Sequence, residues 1–179
     1  MGKLSKGYIQ IYTGDGKGKT TAAVGLATRA AGNEYMVTMV QFLKGGATGE
    51  LHSAKRLDPY FNIYRFEKPR GFFWTLNEEQ KAELKEEIQE AYNFCLKQLE
   101  DKTCDILIMD EVMGALSNKL LTEEQILHIM DKKPEDIELV MTGRNVPERI
   151  VEKANLVTEM KDIKHYFNEG VPARKGIEF

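Results

Sequence analysis

The residues Gly14-Asp15-Gly16-Lys17-Gly18-Lys19-Thr20-Thr21 put backbone freedom, positive charge and hydroxyls into one short stretch. They follow the apolar run Tyr8–Thr13 and precede the helical-looking Ala22–Ala27. Glycines let the backbone turn its N–H groups inward around an anion, and the N-terminus of the next helix adds partial positive charge. Lys19 supplies a full charge, and the Thr20 hydroxyl is placed to hold a magnesium ion. The pattern fits a nucleoside triphosphate, with Thr13 through Thr21 as candidate contacts. The loop is one residue shorter than the usual phosphate-binding pattern: Thr13 stands where its first glycine belongs, and Lys17 lies inside it. A shorter loop should cradle phosphates differently from that of a standard kinase or ATPase.

Other residues could complete such a site. Asp105-Ile106-Leu107-Ile108-Met109-Asp110-Glu111 reads as an apolar strand ending in two carboxylates, where phosphate-loop proteins hold magnesium. Asp110 and Glu111 are therefore metal candidates beside Thr20. Thr142-Gly143-Arg144 also follows an apolar run. Arg144 is either a structural arginine in a surface turn or a planar fork that reaches a triphosphate. Phe72-Phe73-Trp74 are consecutive aromatics that cannot all face one way. Core packing absorbs one or two of them, and one left outside is free to stack on a flat ligand. His52, His128 and His165 have no metal-ligand spacing, and no nucleophile–histidine device can be built from them.

These residues need a frame. Apolar runs at Tyr8–Thr13, Met36–Phe42, Ile63–Phe66, Ile106–Met109, Ile137–Thr142 and Leu156–Thr158 read as short strands, several covered on both faces. Helical patterns lie between them. The clearest runs from about Asn77 to Glu100, with Leu84, Ile88, Ala91, Cys95 and Leu99 on one face and Glu86, Glu87, Glu90 and Lys97 largely elsewhere. Asn77 with Gln80 and Thr122 with Gln125 are spaced as capping boxes, and Pro147 suits a helix start. Alternating strands and helices imply a parallel sheet covered on both faces, whose ligands bind outside the strand C-terminal ends. Lys44–Glu50 reads as a mobile loop at such an end, and Lys161–Phe179 as an irregular tail whose Tyr166, Phe167, Ile177 and Phe179 dock on something.

Length predicts one domain over residues 1–179, able to bury roughly 70% of its unfolded surface without a metal or disulfide staple. Hydrophobic residues at 42% and charged residues at 30% suit a soluble globular chain, and a net charge of -3 offers nucleic acid no global attraction. Cys95 and Cys104 read as reduced, buried thiols. No apolar run approaches the ~18 residues that span a bilayer. The start lacks a signal-peptide core, and Lys6 stands where myristoylation after Met1-Gly2 wants Ser or Thr. The expectation is a cytoplasmic protein with no membrane or nucleic-acid partner.

Taken in order, these segments resemble the phosphate-loop branch of the corrinoid adenosyltransferases. The resemblance rests on the shortened loop, Val40-Gln41-Phe42-Leu43-Lys44-Gly45, Gly71-Phe72-Phe73-Trp74, Met109-Asp110-Glu111, Thr142-Gly143-Arg144, Ala154–Met160, Lys164-His165 and Gly176-Ile177-Glu178-Phe179. It implies an α/β fold: a single P-loop NTPase-like (RecA-like) domain, its mostly parallel sheet flanked by helices on both faces. It also implies transfer of the 5′-deoxyadenosyl group of ATP to Co(I) of a corrinoid, with tripolyphosphate leaving and Mg2+ (or Mn2+) assisting. On that reading ATP lies reversed relative to ordinary phosphate-loop enzymes. Lys19 and Lys17 stabilise the departing charge, and Thr20, Glu111 and Asp110 serve the metal. Phe72 and Trp74 displace the lower axial ligand of the corrinoid. The resemblance further implies a reducing flavoprotein such as flavodoxin, an adenosylcobalamin-dependent client enzyme and a homodimer.

Two residues depart from the family pattern. Asp15 stands where Asn is frequent, bringing a carboxylate near phosphates; it is expected to cap the turn or favour metal. Phe73 replaces the usual Thr between the two aromatics. The residues alone also accommodate a phosphate-loop ATPase or kinase, which releases ADP or a phosphorylated acceptor, or a non-catalytic corrinoid carrier, which binds without turnover.

Overall fold

The computed structural model describes residues 4–179; Met1-Gly2 lies outside them. Six strands form one sheet: β1 (Ile9–Thr13), β2 (Val37–Gln41), β3 (Phe61–Tyr64), β4 (Ile106–Asp110), β5 (Glu138–Thr142) and β6 (Leu156–Glu159). Their order across the sheet is β3-β2-β4-β5-β1-β6, and every pairing is parallel. The helices are α1 (Lys19–Ala31), α2 (Gly49–Arg56), α3 (Glu78–Glu100), α4 (Val112–Ser117), α5 (Glu123–Lys132) and α6 (Glu148–Lys153). Short 3-10 turns cover Phe73–Thr75 and Tyr166–Glu169.

Side-chain alternation along the central strands builds a core on each face. Leu107 and Met109 of β4 join Leu139 and Met141 of β5 under α3, α4, α5 and α6. Ile106 and Ile108, with Val140, turn to the other face and meet α1. The α1 contact is made by Ala23, Ala27, Ala30 and Ala31, all buried. Alanine adds little bulk between helix axis and sheet, so α1 lies close to the strands and its first residue is held at their C-terminal edge.

Both capping boxes form: Asn77 and Gln80 bond reciprocally at the start of α3, as do Thr122 and Gln125 at α5. Pro147 directly precedes α6. The largest strand displacement is at β3, which begins at Phe61, two residues before the expected Ile63. Phe61 is buried under α1 and α2, and that burial draws the strand start back. The helices α2 and α4 were not legible; each is short, and α2 carries a single buried residue, Ala54. Glu87, expected off the buried face of α3, is 8% exposed because Arg70 reaches it with a 2.9 Å bond. Cys95 and Cys104 are free and buried, and burial pushes the Cys104 thiol up to about 12. No helix among the described residues is long and apolar enough to cross a membrane.

Candidate active site

The strand order decides the site. Strand β5 lies between β1 and β4, so three strand ends stand in a row: the glycine loop after β1, Thr142-Gly143-Arg144 at β5 and Asp110-Glu111 at β4. Each strand end alone looks like a surface turn; the parallel order makes them neighbours.

The loop is shaped by what lies behind it. Gly14 has φ 95°, and a Cβ there would sit 2.4 Å from the Met160 carbonyl. A Cβ on Gly16 would meet the Met160 and Lys161 backbone at 2.7 Å, and the Gly16 N–H donates to Met160 O at 2.7 Å. The end of β6 is therefore the floor on which the shortened loop rests. Lys19 Nζ donates to Gly14 O (2.6 Å) and Gly16 O (2.8 Å), drawing the ammonium across the mouth of the loop. Burial, then the nearby Arg144 charge, lowers the Lys19 pKa against the opposing pull of Glu111 and Asp15.

Asp110 is the hub beneath. Its side chain is fully buried, and its oxygens accept from four side chains. Thr20 Oγ1 (2.9 Å) and Thr142 Oγ1 (2.7 Å) donate to Oδ1; Gln41 Nε2 (3.1 Å) and Lys44 Nζ (3.0 Å) donate to Oδ2. The Thr142 hydroxyl also accepts from the Glu111 N–H at 2.8 Å. That bond fixes Glu111 in the left-handed region at φ 60°, a conformation a non-glycine residue adopts only when held. Burial first, and then Asp110, raises the Glu111 carboxyl above its ordinary range, while Lys19, Lys44 and Arg144 oppose the shift.

These side chains open into a cleft of about 930 Å³. Of the residues predicted from sequence, Asp15, Gly16, Lys17, Gly18, Lys19, Thr20, Thr21, Glu111 and Arg144 line it. Thr13, Gly14 and Asp110 are not on its wall. Asp15 does not cap the turn: Arg144 donates to its carbonyl at 3.2 Å, and its carboxylate lies 3.5 Å from Arg144 Nε. The opposite wall is Lys44, Thr48, Gly49, Glu50 and Ser53, and the C-terminal segment closes a third side with His165, Phe167, Ile177 and Phe179. The tail lies along the cleft, and Lys17 Nζ reaches Ile177 O at 3.5 Å, but Phe167, Ile177 and Phe179 stay 72%, 56% and 45% exposed, so these expected anchors are not buried by docking.

The Lys44–Glu50 loop is not free, as its composition suggested, but stapled. Arg65, 13% exposed, donates to Gln41 Oε1 (2.9 and 2.6 Å), Thr48 Oγ1 (2.6 Å) and Gly46 O. Gln41, Lys44, Glu50, Arg65 and the Thr142 side chain carry much of the site's architecture, yet no role was read for them in sequence. One signal was available: Gln41 and Thr142 are polar residues ending otherwise buried strands.

The donors suit a magnesium ion. Among the described residues no cluster of three or more His, Cys, Asp or Glu could hold a metal alone. Magnesium keeps several waters and binds through one or two carboxylates plus phosphate oxygens, so Thr20 and Glu111 on the wall suffice. The Thr20 hydroxyl donates its proton to Asp110, so its oxygen is left as an acceptor, with Lys44 Nζ 3.4 Å from it.

The aromatics divide. Phe73 turns inward against the core, with Lys81 Nζ 5.7 Å from its ring centre. Phe72 and Trp74 point out, 68% and 76% exposed, stacked 4.7 Å apart at an interplanar angle of 3°. Core packing thus accounts for only one of the three. Arg70 anchors the preceding turn to α3 through Glu83 (3.1 Å) and Glu87 (2.9 Å).

Gly143 is held at φ 135°, and a Cβ there would lie 2.7 Å from Met113 Cβ. Gly143→Ala is expected to destabilise the fold by about 2–4 kcal/mol through backbone strain and overpacking, read as a lower urea midpoint with unchanged slope.

Comparison with known proteins identifies the family. The chain is 33% identical over 175 residues to a corrinoid adenosyltransferase of Escherichia coli strain K12, covering 97% of this chain and 86% of that protein. It is also 33% identical to a corrinoid adenosyltransferase of Pseudomonas aeruginosa, covering 97% and 84%. Among solved structures, the flagellar accessory protein FlaH of Methanocaldococcus jannaschii superposes with a TM-score of 0.56 at 16% identity, covering 87% of this chain and 72% of that one. That likeness shows the fold alone, a P-loop NTPase-like domain. The model of the family ATP:corrinoid adenosyltransferase BtuR/CobO/CobP matches residues 5–179, and the chain belongs to that family of transferases.

Proposed function

We propose that this chain transfers the 5′-deoxyadenosyl group of ATP to the Co(I) centre of a corrinoid, releasing tripolyphosphate. The observation that carries this reading is the exposed, parallel Phe72–Trp74 stack on a chain that also carries a phosphate-loop cleft. In the transfer, the Co(I) electron pair forms the cobalt–carbon bond. The C5′–O5′ bond breaks, and its electrons leave on the triphosphate. Cobalt is the nucleophile, so no side chain need attack; the work is positioning and charge stabilisation.

The cleft supplies both. Lys19, Lys17, Arg144 and the loop N–H groups other than that of Gly16 are placed for the departing triphosphate. Thr20 and Glu111 would hold magnesium, with Asp110 behind Thr20, and the ion would neutralise charge building on phosphate oxygens. Phe72 and Trp74 offer a flat apolar face to the corrinoid. Taking the lower ligand's position leaves cobalt four-coordinate, lowers the orbital that accepts an electron and keeps water out. A low-potential flavoprotein as electron donor, a homodimer and a cytoplasmic setting belong to the same reading.

The deciding experiment mixes the protein anaerobically with ATP, magnesium and chemically reduced cob(I)alamin. A light-sensitive alkylcobalt spectrum with stoichiometric tripolyphosphate supports the proposal. Release of ADP and phosphate without spectral change replaces it with an ATPase. The aromatic pair has its own test: Trp74→Ala is expected to slow transfer starting from Co(II) and a reduced flavoprotein by about tenfold, with a smaller loss from preformed Co(I). Equal rates from Co(II) in the two proteins would end the ligand-displacing role.

A further inference from the structure

Lys44 donates to the Asp110 hub but has no step in the proposed transfer, yet the fold takes trouble to deliver it. Leu43 sits in the left-handed region at φ 57°, at the turn leaving β2. The buried Glu67 carboxylate holds that turn by accepting from the Lys44 N–H at 2.9 Å. A Cβ on the next residue, Gly45, would lie 2.9 Å from Pro69 Cα, so the backbone is also packed from the other side. The fixed main chain sends the Lys44 side chain back over the strand ends. Its ammonium stops 3.0 Å from Asp110 Oδ2, 3.4 Å from Thr20 Oγ1 and 3.6 Å from Glu50 Oε1.

Those three oxygens surround the ammonium as they would a small cation, and one of them is the hydroxyl through which a phosphate loop holds magnesium. An ammonium and a divalent ion cannot share that space without strong repulsion. The two members of the Lys44–Asp110 pair differ in kind. Asp110 is buried completely and must have a counter-charge; the Lys44 side chain is 27% exposed and can withdraw. Glu50 stands next along the wall, 15% exposed. Burial works against its charge, but bonds from Gln41 and Thr48 and the Lys44 charge hold its pKa below the ordinary range, so it offers the ammonium a second anionic partner.

We infer that Lys44 is a built-in place-holder for the divalent cation: its ammonium neutralises Asp110 in the nucleotide-free protein and is displaced toward Glu50 when the metal enters. The inference rests on the reading of Thr20 as the metal's hydroxyl ligand. It gives the enzyme low divalent affinity until a nucleotide brings its own phosphate oxygens, tying metal loading to ATP.

The test is Mn2+ binding to the nucleotide-free protein, followed by electron paramagnetic resonance of the free ion, in the unchanged chain, Lys44→Met and Lys44→Gln. Both variants are expected to bind Mn2+ about tenfold more tightly and to gain more thermal stability from it than the unchanged chain does. The glutamine variant keeps a donor toward Asp110 and so covers the case in which Lys44→Met fails to fold. Unchanged or weaker Mn2+ binding in both variants overturns the inference, as does a variant set that loses ATP affinity with Mn2+ affinity unmoved, which would make Lys44 a fixed phosphate clamp. Absence of Mn2+ binding in all three proteins also overturns it. Neither corrinoid nor ATP is present, so a chain that passes this test but makes no alkylcobalt sinks the proposed transfer and leaves the place-holder standing.

Discussion

Lys19→Ala is expected to lower adenosyl transfer to chemically reduced cob(I)alamin by roughly 10²–10³-fold, the cost of removing one preorganised charge donor from a developing anion. The ammonium is held on Gly14 O and Gly16 O, and its partly buried setting strengthens any contact with phosphate oxygen. Charge on the bridging oxygen grows as the C5′–O5′ bond breaks, so the contact is stronger in the transition state than in bound ATP. The rate should therefore fall further than ATP affinity, measured by calorimetry on the same protein. Lys19→Arg should not rescue it, because a planar fork is a poor replacement for a point charge seated between two carbonyls. A variant with unchanged turnover and weakened ATP affinity would show that Lys19 provides uniform binding only.

Much of the frame could be read in the residues because the periodicities are strong. The Leu84-Ile88-Ala91-Cys95-Leu99 stripe and the Asn77–Gln80 box specify α3 locally, and the helix forms where they place it. The phosphate loop, the acidic strand end and Arg144 could be named because each has its own residue signature, and the parallel order brings all three to one cleft. What escaped was the polar scaffold between them. Gln41, Lys44, Arg65 and Thr142 act largely through distant partners, as in the Gln41–Asp110 and Arg65–Thr48 bonds, 69 and 17 positions apart. Sequence spacing carries no information about such pairs. Composition also misled at one loop. Lys44–Glu50 is glycine-rich and polar, which suggests motion, but the half-buried Arg65 bonds across it. Of the three aromatics, core packing was expected to absorb one or two; the 3-10 turn leaves it only the half-buried Phe73 and rotates both Phe72 and Trp74 outward.

The buried hub yields the second large effect. Asp110→Ala is expected to cost about 3–5 kcal/mol of stability, the range for removing one partner of a buried charged pair. The loss has two parts. Lys44 keeps an ammonium at the site without its bonded carboxylate, and Thr20, Thr142 and Gln41 keep donors without an acceptor. Asp110→Asn should lose less, because it preserves shape and one acceptor oxygen, and its amide nitrogen can face the Thr20 and Thr142 hydroxyls, which can turn to accept, rather than the Gln41 and Lys44 donors. Urea denaturation with fitted midpoints separates the variants. Coupling is the sharper measurement: Asp110→Ala with Lys44→Met should be less destabilised than the sum of the single changes, since removing the ammonium removes the stranded charge. Strict additivity would mean that Asp110 and Lys44 are neighbours without energetic connection. Coupling of a kcal/mol or more would show that the charge balance set by the metal site also holds the strand ends together.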